Sequence, residues 1–481
     1  MRPLAARLGG TGLAALLAVL GGADGGRGAE LCPSCVVLRL EHPVVVRGPS
    51  RHEPDAPVSM VALPDGGFRA FAANATTLAI DGPAPTALTG RAQVVLRPGP
   101  PGSAAECGRW LTTVLPAGAF LYGLVHNEQR CRYADNETYK SMSIARSRDY
   151  GLTWDVLGQI ITGDEGFVAG RPSGEGDCTA VDGHDGYWYA YCQRLRDWKN
   201  TVARAPSDDP APGRWRKWSG RGFDAPGLGG VAAALDRTVG MSAAYWTQTG
   251  AVLVMATTAS ALQLSVSGDK VHFAAVAEPV ILYDANDWKR PAPTDFYAYP
   301  SMVGALGFND IARRFFLTYT YIAPGEDFSR RYLVVQPAWI DLARAPQSPQ
   351  VRVALSRWRT AAGARWTTAA PPIAAEGEGE APTYDAPLGY VMTAPSTPAQ
   401  TLKLDECFSA PASPGFLAQA GGCAAAGGER RRVAGYVFGS VQPDTVGLYS
   451  CVSDDGARFD SNRADCEHAG AQTGLLGFAL R

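Results

Sequence analysis

The chain has 481 residues, of which 46% are hydrophobic and 19% charged, with a formal net charge of −2. Such a chain can bury a sizeable core and is not intrinsically disordered. The near-neutral balance leaves no electrostatic footprint for nucleic acid. The 55 glycines and 35 prolines recur as turn signals along the whole chain, which predicts many short strands and an all-β protein.

Residues 1–29 read as a secretory leader. Arg2 and Arg7 supply a positive start, Leu13 to Leu20 an apolar core, and small residues follow, with cleavage near Ala23 or Ala29. The apolar core is too short to span a bilayer, and no later run is longer. The expectation is a soluble monomer, secreted or periplasmic, with no transmembrane segment. Ten cysteines in an exported chain predict disulfides. Cys107 and Cys131 are symmetric about the Pro116–Ala119 turn, and Cys178 and Cys192 about Asp182–Gly186. Each pair would face across a hairpin. Cys407 with Cys423, Cys451 with Cys466, and Cys32 with Cys35 complete the set. The Cys32-Pro-Ser-Cys35 motif lacks a βαβ context and reads as structural rather than redox-active.

From Val58 to Ile340 a unit of roughly 50–65 residues repeats. Its clearest element is an aromatic-rich second strand, seen at Phe68, Phe120, Tyr187, Ala251 and Arg314. Five such strands predict five blades of a β-propeller; a β-sandwich or jelly roll is the alternative. Ser147 to Trp154 reads S-x-D-x-G-x-T-W and resembles the Asp box of sialidase-like propellers. An Asp there can hydrogen-bond backbone amides, a Gly can take positive φ, and a Trp can cover the turn. Asp149 is therefore structural. Ser267-Gly268-Asp269 with Phe273 reads as a degraded copy. The segments GDCTAVDGHDGYWYAYCQR and VARAPSDDPAPGRWRKW are similar to blades of five-bladed arabinanase-like and invertase-like glycoside hydrolases. This resemblance covers about 280 residues and implies a glycoside hydrolase acting on extracellular glycans. A non-catalytic glycan-binding or adhesive protein is the alternative, and a protein-interaction scaffold a third reading.

In a propeller, residues where the first strand starts and the second ends converge on one face of the disc. That rule selects Asn74, His126, Glu128, Asp177, Arg194, Asp224, Asp295, Tyr297 and Tyr299. His126 and Glu128 lie two apart, hence on one face of a strand. Glu128 and Asp177 form the candidate catalytic pair, because a glycosidase needs one acid and one ionised carboxylate. Arg69, His126, Arg194, Asp224, Asp295 and Tyr299 are the candidate binding residues. The first unit offers no acid at the start of its inner strand. No cofactor and no metal ligand set is expected, with a structural cation in the channel as the alternative. Glycans are the expected partner.

After Ile340 the pattern changes to three related segments. Leu355 to Trp358 is followed by Arg365-Trp366, Leu404 to Cys407 by Phe416-Leu417, and Leu448 to Cys451 by Arg458-Phe459. Each leads to a closing strand containing Gly389, Gly435 or Gly477 followed by Tyr390, Tyr436 or Phe478. Three short repeats predict a small pseudo-threefold, trefoil-like β domain. It resembles tandem repeats of poorly characterised domains on secreted bacterial proteins. The acidic stretch 374–381 reads as a loop within it. Asn74-Ala75-Thr76 and Asn136-Glu137-Thr138 are glycosylation sequons that matter only in a eukaryotic host. The expected organisation is a leader (1–29), a five-bladed β-propeller (30–345) and a three-repeat β domain (346–481).

Overall fold

The computed structural model describes residues 31–235, 241–373, 381–396, 400–409 and 413–481. The expected leader lies outside the described residues, as does most of the acidic loop. Among the described residues there is no α-helix and β-strands dominate. Among these residues no helix is long and apolar enough to cross a membrane.

The chain enters through β1 (Val36–Leu40) and β2 (Val44–Ser50). A first antiparallel sheet follows in chain order: β3 (Ser59–Ala62), β4 (Phe68–Asn74), β5 (Thr76–Gly82) and β6 (Gln93–Leu96). The second holds β7 (Gly108–Ala117), β8 (Phe120–Arg132), β9 (Glu137–Ser147) and β10 (Asp155–Thr162). The third runs through β11 (Pro172–Asp182), β12 (Tyr187–Arg194), β13 (Lys199–Pro206), β14 (Arg216–Trp218) and β15 (Phe223–Pro226). The fourth holds β16 (Met241–Trp246), β17 (Ala251–Thr257), β18 (Ala261–Ser267) and β19 (Ala274–Ala275), with β20 (Ile281–Leu282) also on β18. After β21 (Phe296–Gly304), the short β22 (Asp310–Ile311) returns to β16; β23 (Arg314–Ile322) and β24 (Arg331–Leu342) then complete the fifth sheet with β21. Both β1 and β2 add to β24, so the beginning of the described chain finishes the last sheet.

The first strands touch in a closed cycle: β3 meets β7, β7 meets β11, β11 meets β16, β16 meets β21, and β21 returns to β3. The apolar cores follow the same cycle. Phe71 and Val61 pack with Leu111 and Val125, Leu124 and Ile144 with Trp188, and Tyr191 with Val252 and Val254. Leu253 packs with Tyr319, and Val335 returns to Met60. Each sheet thus buries both faces, which explains aromatic and apolar residues on both sides of strands such as β12. Hydroxyls tie the centre together. Ser59 Oγ accepts from Val114 N–H, Thr113 Oγ1 from Ala180 N–H, and Thr179 Oγ1 from Ala243 N–H, each at 3.0–3.1 Å. The space left on the axis is about 10 Å³, room for about one water.

The turn from Ser147 to Trp154 is held by its own polar groups. Asp149 accepts from Thr153 N–H at 2.9 Å and from both the Ser147 and Thr153 hydroxyls, Gly151 has φ +83°, and Trp154 lies edge-on to Phe71 of the first sheet at 5.8 Å. Asp269 holds the same kind of turn, accepting from Val271 and His272 N–H.

The remaining strands form three units of three: β25 (Val351–Arg359), β26 (Arg365–Thr368) and β27 (Thr383–Met392); β28 (Thr401–Ser409), β29 (Ser413–Gln419) and β30 (Glu429–Phe438); β31 (Thr445–Val452), β32 (Arg458–Ser461) and β33 (Ala471–Leu480). In each, the first strand pairs with the other two. The third strands pair cyclically through Met392 and Tyr436, Phe438 and Phe478, and Tyr390 and Leu480. Gly389, Gly435 and Gly477 all have positive φ, at a bulge where each third strand bends into this triangle. The trio is joined to the ring. β25 runs parallel to β1, and Leu355, Leu388, Leu404 and Leu448 share one core with β1 and the fourth and fifth sheets. All ten cysteines are paired as expected: 32–35, 107–131, 178–192, 407–423 and 451–466.

Candidate active site

At one end of the ring the strand ends open into a cavity of about 640 Å³. The long β8 projects past its sheet and carries His126 and Glu128 on one face. In the antiparallel register of β8 with β9, Lys140 stands directly opposite Glu128. Asp177 sits on β11 at a bulge, with φ +51°. Tyr299 occupies a similar bulge on β21, with φ +52°. Left-handed backbone is costly for a tyrosine, and such strain collects at functional positions. Here both bulged residues line the cavity.

The charged groups form one connected cluster. Lys140 Nζ lies 2.7 Å from Asp177 Oδ2 and 3.4 Å from Glu128 Oε1. His126 Nδ1 accepts the backbone N–H of Asp177 at 3.0 Å, so a neutral ring carries its proton on Nε2. That nitrogen is 3.1 Å from Glu128 Oε1 and 3.6 Å from Asp177 Oδ1. Gly176 permits this approach: a Cβ there would lie 2.7 Å from His126 Nδ1. The edge of Trp110 supports the imidazole at 5.3 Å between ring centres.

The two expected carboxylates are therefore close together but differently placed. Glu128 is sealed, its side chain 8% exposed. Its second oxygen accepts from Tyr133 OH at 2.5 Å and from Thr138 Oγ1 at 3.3 Å. Asp177 is 24% exposed to the cavity, and its Oδ1 has only the longer His126 contact. Burial opposes ionisation of both, but Lys140 and His126 outweigh it and hold both carboxyls below their usual range. Burial likewise opposes the Lys140 charge, and Asp177 and Glu128 reverse that.

A third acid joins them. Asp55 lies between β2 and β3, tied to β4 by its N–H to the Ala73 carbonyl at 2.7 Å. It supplies an acid at the entrance to the first inner strand, where the sequence pattern suggested none. Its side chain is 30% exposed. Its Oδ1 accepts from Tyr299 OH at 3.0 Å and from Arg331 Nη2 at 3.4 Å. Burial raises its pKa, with Arg331 and the Tyr299 hydrogen bond partly offsetting this. Around these groups stand the aromatic residues Trp198, Trp288 and Tyr133, which are 52%, 55% and 62% exposed. Asp55, Lys140 and these rings were missed. They sit in turns or on the neighbouring hairpin strand, and only the β8–β9 register could have pointed to Lys140.

Four expected binding residues lie away from the cavity, and each has a local partner instead. Arg69 is mid-strand on β4, gripping Asp81 with two bonds of 2.7 Å and donating to the Tyr150 carbonyl in the turn after β9. Arg194 ends β12 and is spent on Asp197 and the Ala232 carbonyl. Asp224 is exposed on the outermost strand β15 of its sheet. Asp295 is buried under the C-terminal strands against Arg432 at 2.9 Å. Of the remaining candidates, Asn74 donates to the Arg51 carbonyl and Tyr297 stacks on Tyr283 in the core. Among the described residues no group of three or more His, Cys, Asp or Glu side chains is placed to hold a metal ion.

No family model and no curated protein matches this sequence. Among solved structures, the chain is similar to an α-L-arabinofuranosidase from Lactobacillus brevis (13% identity, 61% of this chain and 92% of that one, TM-score 0.42). It is also similar to a family 117 glycoside hydrolase of Zobellia galactanivorans (11%, 65% and 93%, TM-score 0.45). A third is the catalytic domain of a GH62 α-L-arabinofuranosidase of Coprinopsis cinerea (12%, 64% and 98%, TM-score 0.41). Likeness at this level leaves the reading of the site to rest on its own residues.

Proposed function

We propose that this chain is a secreted glycoside hydrolase acting on extracellular glycans, built as a five-bladed β-propeller (30–345) with an appended trefoil-like domain (346–481). The closed cycle of first strands and shared cores supports the propeller, and the cyclic pairing of β27, β30 and β33 supports the trefoil. Five disulfides fit export behind a leader at 1–29.

One observation carries the enzymatic reading. Two carboxylates with free oxygen atoms face one cavity, and their surroundings push their proton affinities apart: Asp55 upward and Asp177 downward. That separation is what assigns an acid and a base in a site. Asp55, protonated, donates to the leaving oxygen. Asp177, ionised, activates water or attacks the anomeric carbon. Glu128 has no free lone pair toward the cavity. It holds Lys140 and His126, and these two keep Asp177 charged. This exchanges the expected pair Glu128 and Asp177 for Asp55 and Asp177. The exposed rings of Trp198, Trp288 and Tyr133 fit sugar faces, since apolar rings around a cavity mark a binding surface.

A binding-only reading draws on the Asp177–Lys140 ion pair, which occupies one of the two oxygens of the base. Incubation of Asp177→Asn with aryl glycosides and plant or host polysaccharides separates the two. We expect hydrolysis by the unaltered chain and a loss of about 10²–10⁴-fold in the variant, with glycan-array binding retained. Full turnover by Asp177→Asn would defeat the assignment, and an unaltered chain that binds without turnover would establish the binding-only alternative.

A further inference from the structure

We infer that the glycan is anionic, and that a groove beside the cavity holds its charged groups; this rests on the glycan reading above. The groove measures about 750 Å³ and runs over the seam between the first and fifth sheets. Arg51, Arg97 and Arg331 line it together with His52 and Asn74, and no acidic residue does. In a chain of net charge −2, three guanidiniums around one concavity without a lining carboxylate do not follow from composition.

Arg331 joins groove to cavity. It lies over the Phe328 ring at 5.2 Å and donates to the Arg51 carbonyl at 3.3 Å, while its other terminal nitrogen is 3.4 Å from Asp55. Phe328 lines the groove and sits 6.1 Å from Trp288, which lines the cavity. A glycan seated against Asp55 and Trp288 therefore continues directly into the groove. Arg51 and Arg97 are exposed there, and neither has an acidic partner among the described residues. The Asn74 amide holds the Arg51 backbone at 2.7 Å. A guanidinium offers two parallel donors to a planar carboxylate and charge-assisted bonds to a sulfate. The shared requirement is an anionic substituent on a sugar, either a uronate or a sulfate ester.

Calorimetry on the full chain tests this with size-matched neutral, uronate-bearing and sulfated oligosaccharides, at low and high salt. The expected result is roughly tenfold tighter binding of one anionic class than of the neutral one at low salt, shrinking as salt screens the arginines. The class that gains identifies the substituent. In the double variant Arg51→Ser/Arg97→Ser the ratio of anionic to neutral affinity should fall towards one. Equal affinity for neutral and anionic ligands, an undiminished ratio in the double variant, or equally tight single-stranded DNA would overturn the inference and leave the glycan reading standing. Binding of no oligosaccharide at all would remove both.

Discussion

Two buried charge clusters in this molecule share a plan and differ in what faces them. Asp177 and Asp295 lie at comparable places, on or just before the first strand of the third and fifth sheets, and each carboxylate meets a cation. Asp177 meets Lys140 and shares it with Glu128. Asp295 meets Arg432, which also approaches Glu406 at 3.5 Å, and accepts from Tyr321 OH at 2.5 Å. Strand β30 of the C-terminal trio closes the second cluster completely, leaving Asp295 3% and Arg432 5% exposed. Nothing among the described residues closes the first. It opens on a cavity rimmed by exposed rings. A knot of charge by itself reports burial and pairing. The open acceptor atoms on Asp55 and Asp177 are what distinguish the candidate site from a structural joint.

If that contrast is right, substitutions at the two clusters should have opposite signatures. The largest effect is on chemistry. Asp55→Asn should lower hydrolysis by about 10²–10⁴-fold with little change in the urea midpoint. The pH profile carries the sign: activity falls as the pH drops through the lowered pKa of Asp177 and as it climbs through the raised pKa of Asp55. Any residual activity in Asp55→Asn should lack the alkaline limb. At the sealed cluster, Arg432→Ala strands two buried carboxylates and should cost about 3–5 kcal/mol of stability in urea unfolding, with turnover per folded molecule unchanged. A large loss of turnover there would mean the two clusters are coupled.

The third test concerns pH and stability. Burial pushes Asp460 on β32 up to about 7. A folded-state pKa above the unfolded value of about 4 means the folded chain keeps a proton that the unfolded chain releases. That contribution is complete below the unfolded pKa and lost as the pH rises through the folded one. Asp460→Asn should therefore flatten the decline in unfolding free energy between about pH 4 and about pH 7, with turnover untouched. The smallest effect belongs to the turn at Asp149. Asp149→Ala removes one exposed turn's hydrogen bonds and should cost about 1 kcal/mol, read as a small shift in urea midpoint, with no effect at the cavity.

Features encoded within a few tens of residues were legible from the order of amino acids alone. Two cysteine pairs, 107–131 and 178–192, follow from symmetric spacing about turns, and the other three from pairing cysteines near in sequence. The turn at Asp149 follows from its Ser, Asp and Gly. The recurring Gly389, Gly435 and Gly477 mark the bends of β27, β30 and β33, and His126 with Glu128 follows from the two-residue period of a strand. What tertiary structure alone decided is which distant groups meet. Asp55 comes from a turn before the first sheet, Lys140 from the strand facing Glu128, Tyr299 from a bulge far along the chain, and Arg432 from another unit altogether. Closing the cycle of first strands brings such groups within hydrogen-bonding distance, and burial with unlike neighbours then sets which carboxyl keeps its proton. No local pattern encodes that, because the proton affinity of a side chain depends on everything packed around it.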